Sequence, residues 1–230
     1  MMQIIEAPKF ELVYKPQKYK KIHGFFDFEE LYQEAVFNAK DGAHFIEIGA
    51  MMGKSACYLG ECIKESGKNI RVDLIDLWDC EEDVTAIPTF DYIVPYGEGQ
   101  TAYHEGFRMV GYPVVQRKCL NTCTNNLKKA GVYEYFNFIQ YDSKYSHVLY
   151  TDNSLDFIFI DGDHSFKGCY EDLINFYPKV KKGKLLAGHD YTKKGQPGVV
   201  MAVDSFRKSM RLDLYVYTNK FNVPFYFKKF

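Results

Sequence analysis

The chain has 230 residues, 47% of them apolar, which is enough to bury a substantial core as one large α/β domain or two small ones. With 29 Lys and Arg against 30 Asp and Glu, a net charge of −1 provides no field to gather nucleic acid or an anionic membrane, and a small or neutral substrate fits better. The six cysteines lack zinc-ligand spacing, and lysines from Lys9 to Lys21 interrupt any apolar leader or membrane span, so a cytoplasmic protein with reduced thiols is expected.

Residues 1–23 are polar and lysine-rich with Pro8 and Pro16. They read as an N-terminal arm with one short strand near Phe10 to Tyr14, either covering a site or a partner subunit or loosely attached. Residues 24–230 read as one domain, with 80–115 as an insertion or lid. Asp27 is placed to cap a helix from Phe28 to Ala39. The apolar run His44 to Ile48 reads as a buried strand, broken at Gly49, and a helix follows from Ser55 to Lys64. Gly49 and Gly53 permit a tight turn and close approach to the main chain, and Glu47 is expected at the mouth of that turn. A dinucleotide loop would want a third glycine and no acid, because pyrophosphate is repelled by a carboxylate. A cationic amine and a sulfonium are not. A plain turn is the bland alternative.

A second strand, Ile70 to Leu77, delivers Asp76, which is spaced to accept from ribose hydroxyls or merely to end a strand. Trp78 follows, beside an adenine or in the core. Residues 80–115 lose periodicity, and one or two short helices are expected there, with Tyr92, Tyr96, Tyr103 and His104 as acceptor-binding candidates. A helix from Gln116 to Ala130 and a third strand from Phe136 to Tyr141 lead to Asp142 and Ser143, near an adenine amino group or capping a short helix to Leu149. The fourth strand, Leu155 to Ile160, ends in Asp161-Gly-Asp163-His164. After a helix from Phe166 to Tyr177, the fifth strand, Lys184 to Gly188, ends in His189-Asp190. Two adjacent parallel strands thus bring Asp/His groups to one sheet edge, where clustered acids need a cation or hydrogen-bond donors. A helix from Pro197 to Met210 and a hairpin of Leu214 to Thr218 and Val223 to Phe227 complete the chain.

The succession E-x-G-x-x-x-G, an acid after the second strand, I-D-G-D-H-S-F after the fourth and K-x-G-x-L-L-A-G-H-D-Y at the fifth resembles class I S-adenosylmethionine-dependent methyltransferases. Within these it is similar to the small O-methyltransferase-like group with the I-D-G-D-H motif, over roughly Gly42 to Tyr191. The resemblance implies a Rossmann-like, doubly wound α/β fold with a seven-stranded sheet, mostly parallel with an antiparallel last strand. S-adenosylmethionine would be the methyl donor, with Glu47, Gly49 and Gly53 by its methionine part and Ala50 and Ser55 also beside it. Asp76 would meet the ribose, and Asp142 and Ser143 the adenine, with Leu77, Trp78, Asp161 and His164 also beside the cofactor. Asp161 and Asp190 match positions that hold Mg2+ or Mn2+ in metal-using relatives. Gly-His-Asp stands here where those relatives carry Asp-Asp or Asp-Asn, so catalysis with and without metal both stay open.

Methyl transfer to a hydroxyl needs donor and acceptor held close and the acceptor deprotonated. Asp161 with His164 or His189 are the candidates for that proton, although His164 could equally cap the next helix. The acceptor is expected to be a small molecule or sugar hydroxyl, with nitrogen not excluded and a homo-oligomer open. The competing assignment is a Rossmann-like protein binding NAD or a nucleotide sugar, or one that binds its cofactor without catalysis.

Overall fold

Each bulky apolar run between turn residues becomes a strand in the computed structural model, which describes residues 2–78, 101–104, 107–110 and 118–230. In chain order the strands are β1 (Ile4–Glu6), β2 (Ala43–Ile48), β3 (Ile70–Asp76), β4 (Thr101–His104), β5 (Phe107–Val110), β6 (Phe136–Gln140), β7 (Leu155–Ile160), β8 (Val180–Gly188), β9 (Leu214–Val216) and β10 (Phe225–Lys228). The helices are α1 (Glu29–Phe37), α2 (Lys54–Ser66), α3 (Lys118–Ala130), α4 (Ser143–Ser146), α5 (Phe166–Phe176) and α6 (Pro197–Met210). Eight strands form the main sheet in the order β1-β9-β10-β8-β7-β2-β3-β6, while β4 and β5 pair antiparallel by themselves.

The doubly wound architecture is the one expected, with β10 antiparallel to both β8 and β9. The sheet has one strand more than the seven anticipated. The addition is β1, which pairs parallel with β9 from Ile4 opposite Leu214 to Glu6 opposite Val216. No strand forms near Phe10 to Tyr14. Instead the buried Gln33 amide takes a strand partner's place: its Oε1 accepts from Val13 N and Tyr14 N at 2.7 and 2.9 Å, and its Nε2 donates to Tyr14 O. Within residues 80–115 the described parts are β4 and β5, which pair antiparallel; the short helices expected there, like Tyr92 and Tyr96, fall on the remainder, outside the described residues.

Alternation along the central strands builds a separate core on each face. Phe45, Phe157 and Phe159 point to the side covered by α1, α2 and α3, and Ile46, Ile48, Ile158 and Ile160 to the side covered by α5 and α6. Helix α1 starts at Glu29 behind Phe28, without a side-chain cap, so Asp27 is not the cap its position suggested. At α4 the cap is Asp142, whose carboxylate accepts from Lys144 N, rather than Ser143; at α5 it is Ser165, which accepts from Gly168 N at 3.0 Å, rather than His164. Cys57, Cys62, Cys123 and Cys169 are free, but Cys119 is disulfide-bonded, which corrects the expectation of reduced thiols throughout. Among the described residues no helix is long and apolar enough to cross a membrane.

Candidate active site

The turn after β2 is shaped by contacts with its neighbours. Gly49 has φ 85°, and a Cβ there would lie 1.9 Å from the Asp161 carbonyl oxygen, so only glycine lets the ends of β2 and β7 approach. Gly53, at φ 79°, sits against Cys123, whose Sγ would be 2.8 Å from an added Cβ; it serves the packing of α2 on α3 and does not border the cleft. Asp76, at the end of β3, fastens the turn: its Oδ2 accepts from Ala50 N and Met51 N, both at 2.8 Å, and its Oδ1 from Trp78 N. Trp78 is fully buried, donates Nε1–H to the Met51 carbonyl at 2.9 Å, and lies outside the cleft wall, in the core.

Glu47 corrects a further expectation. Its carboxylate is not at the mouth of the turn but beneath it, 1% exposed, accepting from the Ser55 hydroxyl through Oε1. The strand's alternation explains this, because Glu47 falls on the same face as Phe45, toward α2. Burial pushes its carboxyl up to about 8 against the opposing Ser55 hydrogen bond, so it is largely protonated at neutral pH. An ionised partner for a cationic amine is therefore not supplied by Glu47.

The ends of β7 and β8 bring four titratable groups together. His164 Nε2 lies 3.4 Å from Asp161 Oδ1 and 3.1 Å from Asp190 Oδ2. His189 Nδ1 stands 3.6 Å from Asp161 Oδ2 and from Asp190 Oδ1, and its Nε2 lies 2.8 Å from Asp27 Oδ1. Burial alone would lower both imidazoles, but the surrounding carboxylates outweigh it and push each up to about 10. Burial would likewise raise Asp161, yet His189 and His164 hold it well below the usual carboxylate range. Asp161, His164 and Asp190 each offer one ligand atom, all within 4.8 Å of one another. His164 keeps 38% of its side chain exposed and His189 only 4%, so His164 is the more accessible imidazole.

These pieces border one cleft of about 570 Å³. Of the expected residues, Gly49, Ala50, Ser55, Asp76 and Leu77 line its first half, and Asp142 and Ser143 continue the wall at β6. Asp161, His164, His189 and Asp190 close its other end, and Glu47, Gly53 and Trp78 stay outside. The sequence reading missed His23, Gly24, Lys54, Tyr141 and Asn222, which also line the cleft. Lys54 is the only lysine among the described lining residues, against five aspartates, and its Nζ donates to the Gly24 carbonyl at 2.7 Å. Its place directly after Gly53 was a usable signal; His23 and Asn222 carry none, because only the tertiary fold brings the two ends of the chain to the cleft.

A family model described as a methyltransferase domain matches residues 46–191. Among curated proteins no sequence matches the chain. Among solved structures, the O-methyltransferase NovP superposes with a TM-score of 0.60 at 17% identity, covering 88% of this chain and 79% of that one. The calicheamicin methyltransferase CalS11 gives 0.59 at 14%, covering 87% and 76%. The O-methyltransferase TomG from Streptomyces achromogenes, solved with S-adenosylmethionine, gives 0.53 at 12%, covering 87% and 80%.

Proposed function

This chain belongs to the methyltransferase-domain family that its residues 46–191 match, and from that premise we propose that it methylates a hydroxyl group of a small molecule or sugar, with S-adenosylmethionine as donor. One observation carries the reading: the turn after β2, Asp76 and the Asp161/His164/His189/Asp190 cluster all open onto a single cleft. NovP and TomG are described as O-methyltransferases, and CalS11 as a TDP-rhamnose 3'-O-methyltransferase.

The residues present fit the donor. A cleft of about 570 Å³ suits a ligand of that size, and walls with five aspartates favour a positively charged one. When bound, S-adenosylmethionine supplies an electrophilic methyl group on a positive sulfur. Asp76 stands at the cleft wall where ribose hydroxyls would meet a carboxylate, and Leu77 and Tyr141 offer apolar surface to the adenine. Lys54, the lysine among the described lining residues, is able to meet the methionine carboxylate.

Asp161, His164 and Asp190 also fit a divalent cation, since they present two hard carboxylates and an imidazole within 4.8 Å. Bound there, Mg2+ or Mn2+ would make a nearby hydroxyl more acidic. On the protein side, His164 is the exposed imidazole at the acceptor end of the cleft. Asp161 and Asp190 keep His164 largely protonated, pushed up to about 10, so an acceptor hydroxyl placed against it gives its proton to the minor neutral form of the imidazole. His189, buried behind them, does not touch the acceptor; it compensates the charge of the same two carboxylates.

The test is thermal stabilisation by S-adenosylhomocysteine compared with NAD, each with and without Mg2+. A rise in Tm with S-adenosylhomocysteine alone supports the assignment, through the mass-action gain of a ligand bound only by the folded state. A rise with NAD alone would sink it.

A further inference from the structure

Asp27 heads α1 without capping it, and its carboxylate is turned instead toward the far end of the chain, where Oδ1 lies 2.8 Å from His189 Nε2 across 162 residues of sequence. Its Oδ2 accepts from Asn222 N at 3.3 Å, so the group is held from the side opposite the imidazole. The imidazole itself is 4% exposed, and the Phe28 ring packs edge-on against it at 4.9 Å. Its other nitrogen, Nδ1, faces Asp161 and Asp190 at 3.6 Å each, too long for a good hydrogen bond. Among these contacts only Asp27 therefore lies within hydrogen-bond reach of the ring, and Phe28 sets its plane.

We infer that Asp27 is a positioning residue: it takes the Nε2 proton of His189 in a hydrogen bond and so keeps Nδ1 aimed at the Asp161/Asp190 pair. This rests on the methyltransferase reading only in giving that pair a catalytic purpose. The physical argument is the one that applies to any buried imidazole whose second nitrogen meets a carboxylate, where the outer bond fixes the ring's orientation. Without Asp27 the ring is free to turn over about its χ2 axis, and the two carboxylates lose an oriented partner. Because His164 leans on the same two carboxylates, the disturbance passes to it.

Long-range 1H–15N correlation spectra of the full-length protein, labelled with 15N-histidine, test this. The His189→Gln and His164→Gln variants identify the two rings. In the wild type a slowly exchanging, downfield Nε2-bound proton is expected for His189. In Asp27→Ala that proton signal disappears and the ring nitrogens of both His189 and His164 shift. In Asp27→Asn, whose amide oxygen still accepts, the proton survives but moves upfield as the acceptor loses its charge. Unchanged His189 signals in either variant, or an unchanged His164 in Asp27→Ala, overturn the proposal, and Asp27→Asn alone decides it should the alanine variant not fold. S-adenosylhomocysteine affinity is measured alongside and should stay within twofold. Absence of that binding in the wild type counts against the methyltransferase reading, while the ring spectra still decide the role of Asp27.

Discussion

Glu47 shows how one side chain can be chemically informative and still be misplaced by pattern. Its spacing before the glycine turn reads as a carboxylate aimed at a ligand, but alternation along β2 sends it inward, where burial keeps its proton. The folded-state pKa of about 8 lies above the ordinary 4.5, so the folded state holds a proton that the unfolded chain has released between those values. Glu47 thus contributes stability that is full below pH 4.5 and lost as pH rises through 8, at about 1.4 kcal/mol per pH unit within that window. Urea denaturation at several pH values should show this slope in the wild type, with the Glu47→Gln variant flatter by that amount. Lys54 is the complementary case, a cation that the sequence placed beside a glycine without assigning it a task. If it meets the methionine carboxylate, Lys54→Met should weaken S-adenosylhomocysteine binding about tenfold, near 1.4 kcal/mol, and leave the decarboxylated analogue unaffected in calorimetry. Asp161, His164 and Asp190 were legible because strand ends in a doubly wound sheet share an edge. His23, Asp27 and Asn222 were not, since no local pattern says which terminal segment folds back over that edge.

Periodicity located most elements to within a few residues, and α6 matches its expected span from Pro197 to Met210. The failures fall where tertiary hydrogen bonds replaced local rules: Gln33 occupying the place of a strand partner for Tyr14, and Phe28 rather than Asp27 preceding α1. The close approach of the chain after the parallel neighbours β2 and β7 imposes the strictest requirement on any element. A methyl group at residue 49 would sit 1.9 Å from backbone oxygen that has no room to retreat, at a positive φ besides. Gly49→Ala should therefore cost about 3 kcal/mol or more and reduce S-adenosylhomocysteine binding with it. Ser165→Ala, which removes the cap of α5 and the hydroxyl's bond to Asp163 Oδ2, should cost about 1 kcal/mol and leave binding intact. Paired thermal and calorimetric measurements separate the two.

Across the whole molecule the doubly wound sheet followed from the alternation of apolar strands with helical segments, whereas the eighth strand did not, because Ile4 to Glu6 is too short and too exposed to carry a pattern. That strand covers the edge of β9, anchored where Ala7 N donates to Val216 O at 2.7 Å and Glu6 meets Thr218. Deleting residues 1–7 should lower Tm by a few degrees and, by baring an edge, promote self-association visible in light scattering, while S-adenosylhomocysteine affinity holds. The insertion of β10 between β8 and β9 also bears on synthesis. A nascent chain that has already emitted β9 still has no neighbour to join it to the growing sheet, and Asn222, on which Asp27 rests, emerges at almost the same moment as β10. Cleft completion thus waits on the emergence of β10, and ribosome-stalled lengths ending before Phe225 should present a protease-sensitive β8 border and no affinity for the nucleoside.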